Sequence, residues 1–224
     1  MLYPIRDSLN LWMMDSDGAN PIKLTNNDND NDFAEWSPDG QLLAFISIGS
    51  NGERLYTMRV GSPASNRLIY SGTINSFAWS PKGDYILLVV PHLDSFLLRD
   101  IWLLRIDNLE PSLLIGEQRV SSFSGLVWAP KGNEFLFEVN CDDTPGSNVA
   151  LWALKLDTKH ALDLTGCNSG HNVDPSWSPN GDRIAFQSDR SGDSDIWTMN
   201  ADGSNPIDLT SSNEKEKQIF TQYI

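Results

Sequence analysis

Four turns of one design recur along this chain and constrain it more than any other feature. They are Trp36-Ser37-Pro38-Asp39-Gly40, Trp79-Ser80-Pro81-Lys82-Gly83, Trp128-Ala129-Pro130-Lys131-Gly132 and Trp177-Ser178-Pro179-Asn180-Gly181, with the tryptophans 43, 49 and 49 residues apart. In each, proline presets φ at the second turn position and glycine suits the fourth, and in three of them serine at the first can bond back onto the backbone. The chain must reverse at each.

The clearest copy is 174–210, with strand character at 174–178, 183–188, 195–200 and 206–209. Its second turn, 189–194, is longer, and its third, Ala201-Asp202-Gly203-Ser204, carries the Asp-Gly hairpin signal. The segment is therefore an antiparallel four-stranded meander. Leu11-Trp12, Leu55-Tyr56, Ile101-Trp102, Leu151-Trp152 and Ile196-Trp197 repeat the start of its third strand. All eight tryptophans fall on one of these two repeat positions. The period is close to the roughly 40–50 residues of a propeller blade.

A Trp-Ser-Pro-x-Gly turn, an Ile-Ala-Phe-x-Ser strand, then Asp-Ile-Trp-x-Met-Asn and an Asp-Gly-Ser-x-Pro turn ending in Leu-Thr resemble the repeat of TolB-type β-propellers. That family is related in architecture to WD-repeat proteins. The resemblance covers nearly the whole chain, with Ala129 in place of serine and Tyr56 in place of tryptophan as departures. It implies an all-β propeller, a protein or peptide partner, and a periplasmic or secreted location if an export signal precedes residue 1, otherwise a cytoplasmic one.

Complete blades are expected at about 33–69, 74–115, 123–165 and 173–210. Residues 1–25 supply a blade without its first strand, and 218–224 have strand composition. Pairing the two removes two unpaired edges, so five blades are expected, with Ile219 to Tyr223 completing the blade of 1–25. The competing arrangement is an open piece of a ring of six or more. Each first-turn tryptophan and each third-strand aromatic is expected between adjacent blades: Trp12, Trp36, Tyr56, Trp79, Trp102, Trp128, Trp152, Trp177 and Trp197. Burying about 150–250 Å² apiece would contribute at most about 4–6 kcal/mol each. Trp177→Ala should then nearly unfold the domain.

A net charge of −14 repels nucleic acid and anionic membranes, and no stretch approaches the roughly 18 apolar residues of a membrane helix. The chain lacks a Gly-x-Ser-x-Gly elbow, His-Glu-x-x-His and a phosphate loop, so no catalytic residue, enzyme activity or cofactor is expected. An axial active site would need inward carboxylates on first strands, where only Glu35 and Asp174 stand. His92 and His171 fall in loops and His160 near a third-to-fourth strand turn, each read as solvated or locally bonded. Asp28, Asp30 and Asp32 alternate as calcium ligands can, but Phe33 and Asp39 replace the glycine and glutamate of an EF-hand, and a solvated acidic loop is preferred. Asp189, Asp193 and Asp195 are read alike. Cys141 and Cys167 fall in loops on the same side of one blade, open to a disulfide in an oxidising compartment or to two free thiols.

Alternate loops leave a propeller on opposite faces, one gathering short similar turns and the other longer, variable loops, where function sits on rigid scaffolds. The outlier is 91–99, whose apolar residues the repeat does not demand. Leu93, Phe96 and Leu97 are expected at a partner contact, against the plainer reading of an extended hairpin packed on its own blade. The function expected is a non-enzymatic, monomeric protein-binding scaffold. The alternative is a propeller module of a larger enzyme, such as a prolyl-oligopeptidase-type peptidase, or of a sensor protein.

Overall fold

The computed structural model describes residues 9–62, 65–120, 126–144 and 146–210, with the side chain of Phe96 outside that set. In chain order the strands are β1 (Trp12–Met13), β2 (Ile22–Lys23), β3 (Asp30–Trp36), β4 (Leu42–Gly49), β5 (Gly52–Arg59), β6 (Arg67–Ser71), β7 (Ser76–Trp79), β8 (Tyr85–His92) and β9 (Ser95–Arg105). They continue with β10 (Pro111–Gln118), β11 (Val127–Trp128), β12 (Glu134–Asn140), β13 (Val149–Lys155), β14 (His160–Asp163), β15 (Asn172–Trp177), β16 (Arg183–Ser188), β17 (Asp195–Asn200) and β18 (Ile207–Asp208). They form four antiparallel meanders, β3–β6, β7–β10, β11–β14 and β15–β18, and a two-stranded sheet, β1–β2. These are propeller blades. The expected sharing of one blade by the two chain ends falls on 1–8 and 218–224, outside the described residues.

The turn chemistry appears as read. Leu42, Tyr85 and Arg183 each donate a backbone N–H to the hydroxyl of Ser37, Ser80 and Ser178, at 2.9, 3.0 and 2.9 Å. Gly40, Gly83 and Gly181 close the turns at φ of 68°, 73° and 75°, where a side chain would be strained. At the remaining turn, 128–132, Glu134 N–H has no hydroxyl to meet, because residue 129 is alanine. Ala129 is as buried as Ser37 and Ser80. Ala129→Ser should therefore raise the unfolding free energy by about 0.5–1.5 kcal/mol, measured by urea denaturation; a loss would show that the hydroxyl is not accommodated.

A second device repeats at the fourth strand. Leu11, Leu151 and Ile196 N–H donate at 2.9 Å to the hydroxyls of Thr25, Thr165 and Thr210, fastening each Leu-Thr ending to the third strand.

The chain divides into two compact units, one running to Pro91 with Trp102–Ser112, the other comprising His92–Ile101 and the chain from Leu113. In the first, Leu24, Leu43, Phe45 and Met58 form one apolar cluster, and Ile46, Leu55, Phe77, Trp79, Ile86 and Leu88 belong to another. In the second, Leu136, Leu151, Ala153, Ile184, Phe186 and Met199 pack together, with Trp177 and Trp197 partly buried against them.

The tryptophans divide in a way the repeat did not anticipate. Trp79 and Trp128 are buried, but Trp36 is 48% exposed and Trp12 61%. A first-strand indole leans on the preceding first strand: Trp79 Nε1 donates to Glu35 O at 3.3 Å, and Trp177 Nε1 to Val127 O at 3.2 Å. Before Trp36 the described residues supply only β1 and β2, so no described first strand covers it. The third-strand aromatics also have direct partners across the ladder in the same sheet, while Trp102 and Trp197 pack against clusters drawn from two neighbouring sheets. The register pairs Phe45 with Tyr56, Phe137 with Trp152 and Phe186 with Trp197, and directly opposed side chains are the closest neighbours a sheet offers. The most buried aromatics are accordingly Phe45, Phe135, Phe137 and Phe186, all on second strands. Trp177, partly buried against the cluster of the second unit, is expected to lose less on truncation than these phenylalanines.

Both β3 and β15 carry a bulge, between Asp32 and Glu35 and between Val173 and Ser176. Phe33 and Asp174, each three residues before the tryptophan, adopt φ of 49° and 52° there. Buried Glu138 accepts the Asp174 N–H at 2.8 Å and so holds the second bulge.

Candidate functional site

The loops of interest lie in the second unit, at the end of the sheets where second strands lead to third. The segment 91–99 is largely strand: β8 runs to His92 and β9 begins at Ser95. It is an extended hairpin, yet its apolar residues do not all pack, because Leu93 is 96% exposed and Leu97 59%. Phe96 lies in β9, and its side chain is outside the described set.

At the root of this hairpin, His92 Nδ1 lies 2.9 Å from Asp100 Oδ1, and His92 Nε2 lies 3.9 Å from Glu117 Oε1. Asp100 Oδ1 also accepts the Glu117 N–H at 3.1 Å. The Asp100 hydrogen bond first, then the charges of Asp100, Glu117 and Asp94, raise the His92 pKa against the cost of desolvation. A raised histidine pKa gives stability that is complete below the unfolded value of about 6.5 and is lost as pH rises through the folded value. The melting temperature of the protein should thus exceed that of His92→Gln by more at about pH 5.5 than at about pH 8.5; a constant gap would show that the pair does not titrate.

Beside the hairpin opens a cavity of about 310 Å³ lined by Leu97, Arg119, Asn140, Asp142, Asp143, Thr144, Gly146, Ser147 and His171. Its walls are tied together. Asn140 N–H donates to Arg119 O at 2.8 Å and Cys141 N–H to Asn148 O at 2.9 Å, while Val120 bridges Val139. Cys141 and Cys167 are joined by a disulfide, with Cα atoms 5.5 Å apart, and Asn148 Nδ2 donates to Cys167 O at 3.0 Å. A covalent tie between two loops limits how far the cavity can deform.

The electrostatics are set by two carboxylates and one guanidinium. Arg119 Nε and Nη2 reach Asp143 Oδ1 and Oδ2 at 2.6 and 3.2 Å, a bidentate pair that holds the Asp143 carboxyl below its usual range. Thr144 donates to Asp142 Oδ1 through both its hydroxyl and its N–H, which lowers the Asp142 pKa likewise. Both carboxylates stay ionised at neutral pH.

Other candidate positions serve structure. Asp30 and Asp32 lie in strand β3 itself, where Asp30 Oδ1 accepts Leu9 N–H and Asp32 Oδ1 accepts Phe33 N–H. Asp28, Asp30 and Asp32 do not converge, and among the described residues no three His, Cys, Asp or Glu side chains are placed to share a metal ion. Asp189 Oδ1 accepts His171 N–H, and Asp195 accepts from Ser191 and Thr210. His160 opens β14, and His171 Nδ1 lies 3.3 Å from Ser147 O. Glu35 keeps contact with solvent, but enough protein surrounds it that desolvation raises its carboxyl, opposed by a hydrogen bond from the Trp79 backbone. Asp174 belongs to the bulge.

No family model matches the chain. It is 29% identical over 181 residues to the uncharacterized protein Atu1656 of Agrobacterium fabrum, covering 79% of this chain and 57% of that one. It is 25% identical over 179 residues to the uncharacterized peptidase YuxL of Bacillus subtilis, covering 79% of this chain and 24% of that one. Among solved structures it superposes on a putative TolB from Agrobacterium tumefaciens with a TM-score of 0.64 and 24% identity, over 86% of this chain and 66% of that one. The chain thus spans little more than half of the first of these relatives and about a quarter of the second.

Proposed function

Because the chain has the fold of TolB-like β-propellers, we propose that it is a non-enzymatic scaffold which presents its loop-rich face to a protein partner, as a monomer, in the periplasm or another oxidising compartment. The carrying observation is the pair Leu93 and Leu97, exposed on a hairpin beside a cavity whose walls a disulfide holds. Exposed apolar side chains on a rigid support are what an interface core requires. The disulfide suits an oxidising location, and among the described residues no helix is long and apolar enough to cross a membrane.

A photo-crosslinking amino acid at position 97, expressed in the native host, should yield a discrete protein adduct that Leu93→Asp abolishes. The same group at position 180, on a short turn, should yield none. Equal labelling at both positions would sink the reading.

The similarity to YuxL, named a peptidase, favours a second reading, in which the chain is the propeller module of a larger hydrolase. Intact mass of the native polypeptide decides between them: a further hydrolase-sized domain on the same chain supports the module, and its absence the free scaffold.

A further inference from the structure

The Leu97-lined cavity differs from an ordinary apolar docking patch in its charge. Of its lining side chains Asp142 and Asp143 are carboxylates, and Arg119 offsets one of them. The hydrogen bonds that hold Asp142 fall on Oδ1, which leaves Oδ2 as the oxygen an arriving donor meets. Asp94, at the hairpin tip, and Glu117, at its root, add negative charge on the same unit. The chain as a whole carries −14. A volume of about 310 Å³ is at the lower end for a small-molecule site, which fits a side chain or two better than a whole ligand.

We propose that this cavity receives a lysine or arginine side chain from a partner peptide segment whose neighbouring apolar residues pack on Leu93 and Leu97. The inference rests on the scaffold reading and names the partner's chemistry. An incoming cation donates to Asp142 and competes with Arg119 for Asp143. The acidic surroundings accelerate its approach and repel acidic segments. Arg119 therefore acts as a resident competitor, and its removal frees a carboxylate for the ligand.

The test uses a random twelve-residue peptide display library panned against the folded protein, followed by anisotropy titrations of synthetic peptides from the enriched set. The expected peptides carry Lys or Arg beside apolar residues, and replacing that cation by Gln weakens binding at least about tenfold. Asp142→Asn with Asp143→Asn should cause a similar loss and make the Lys and Gln peptides bind alike. Arg119→Gln should tighten binding of the Lys peptide, a gain that a merely structural role could not produce. Circular dichroism melts confirm that each variant folds. Enriched peptides without a cation, or indifferent to the aspartate variants, would overturn the cation site while leaving the docking face. No enrichment at all would overturn both.

Discussion

Phe186→Ala should lower the unfolding free energy by about 3–5 kcal/mol, a loss at the top of the range for a single buried side chain. Phe186 is fully buried on β16, opposite Trp197 in the ladder and among Leu136, Leu151, Ile184 and Met199. Its ring also faces a cation: the Arg190 guanidinium sits 5.0 Å from it and 4.8 Å from the ring of Trp197. Alanine opens a cavity in that cluster and removes one of the two rings facing a cation whose pKa desolvation already lowers. Net stabilities of about 5–15 kcal/mol make such a loss a large share of the total. Partly buried Trp177 should cost less on truncation, so urea denaturation of Phe186→Ala and Trp177→Ala ranks the two. Equal or reversed losses would return the central role to the first-turn indole.

That ranking marks where the sequence was legible. Turn chemistry is local, so the Trp-Ser-Pro-x-Gly motif located the reversals, and strands β16 and β17 occupy the spans read from the letters alone. The burial of an indole depends on which strand lies beside it, which no local motif states; Trp36 and Trp79 share a motif and differ in exposure. The site behaves similarly. Leu97 stood out as an apolar residue with no repeat role, but the Arg119–Asp143 pair joins positions 24 residues apart in separate loops. Glu138, buried in a strand to hold a neighbouring bulge, looked like an ordinary charged residue.

Asn172 was equally silent, although it stands five residues before Trp177 as Asn31 does before Trp36. The two asparagines occupy one position in the repeat and differ in how well they are satisfied, so they make an internal comparison. Asn172, fully buried, donates from Nδ2 to Val149 O, Gly170 O and Ser169 Oγ at 2.9, 3.0 and 3.2 Å. Its Oδ1 accepts from Ser188 Oγ at 2.8 Å and from Arg190 Nη2 at 2.7 Å. Asn31 makes the corresponding Nδ2 bonds to Leu9 O, Asn29 O and Asn27 Oδ1, but among the described residues its buried Oδ1 has no hydrogen-bond partner. Truncation at 172 strands two carbonyls, two hydroxyls and a guanidinium together, and buried groups left unmet cost about 1–3 kcal/mol each without adding fully. Asn172→Ala should therefore cost about 3 kcal/mol or more, whereas Asn31→Ala, which also removes an unmet acceptor, should cost only about 1–2 kcal/mol. Paired denaturation curves read the difference, and equal losses at the two positions would show that the carbonyl contacts alone, not the Ser188 and Arg190 bonds, give Asn172 its weight.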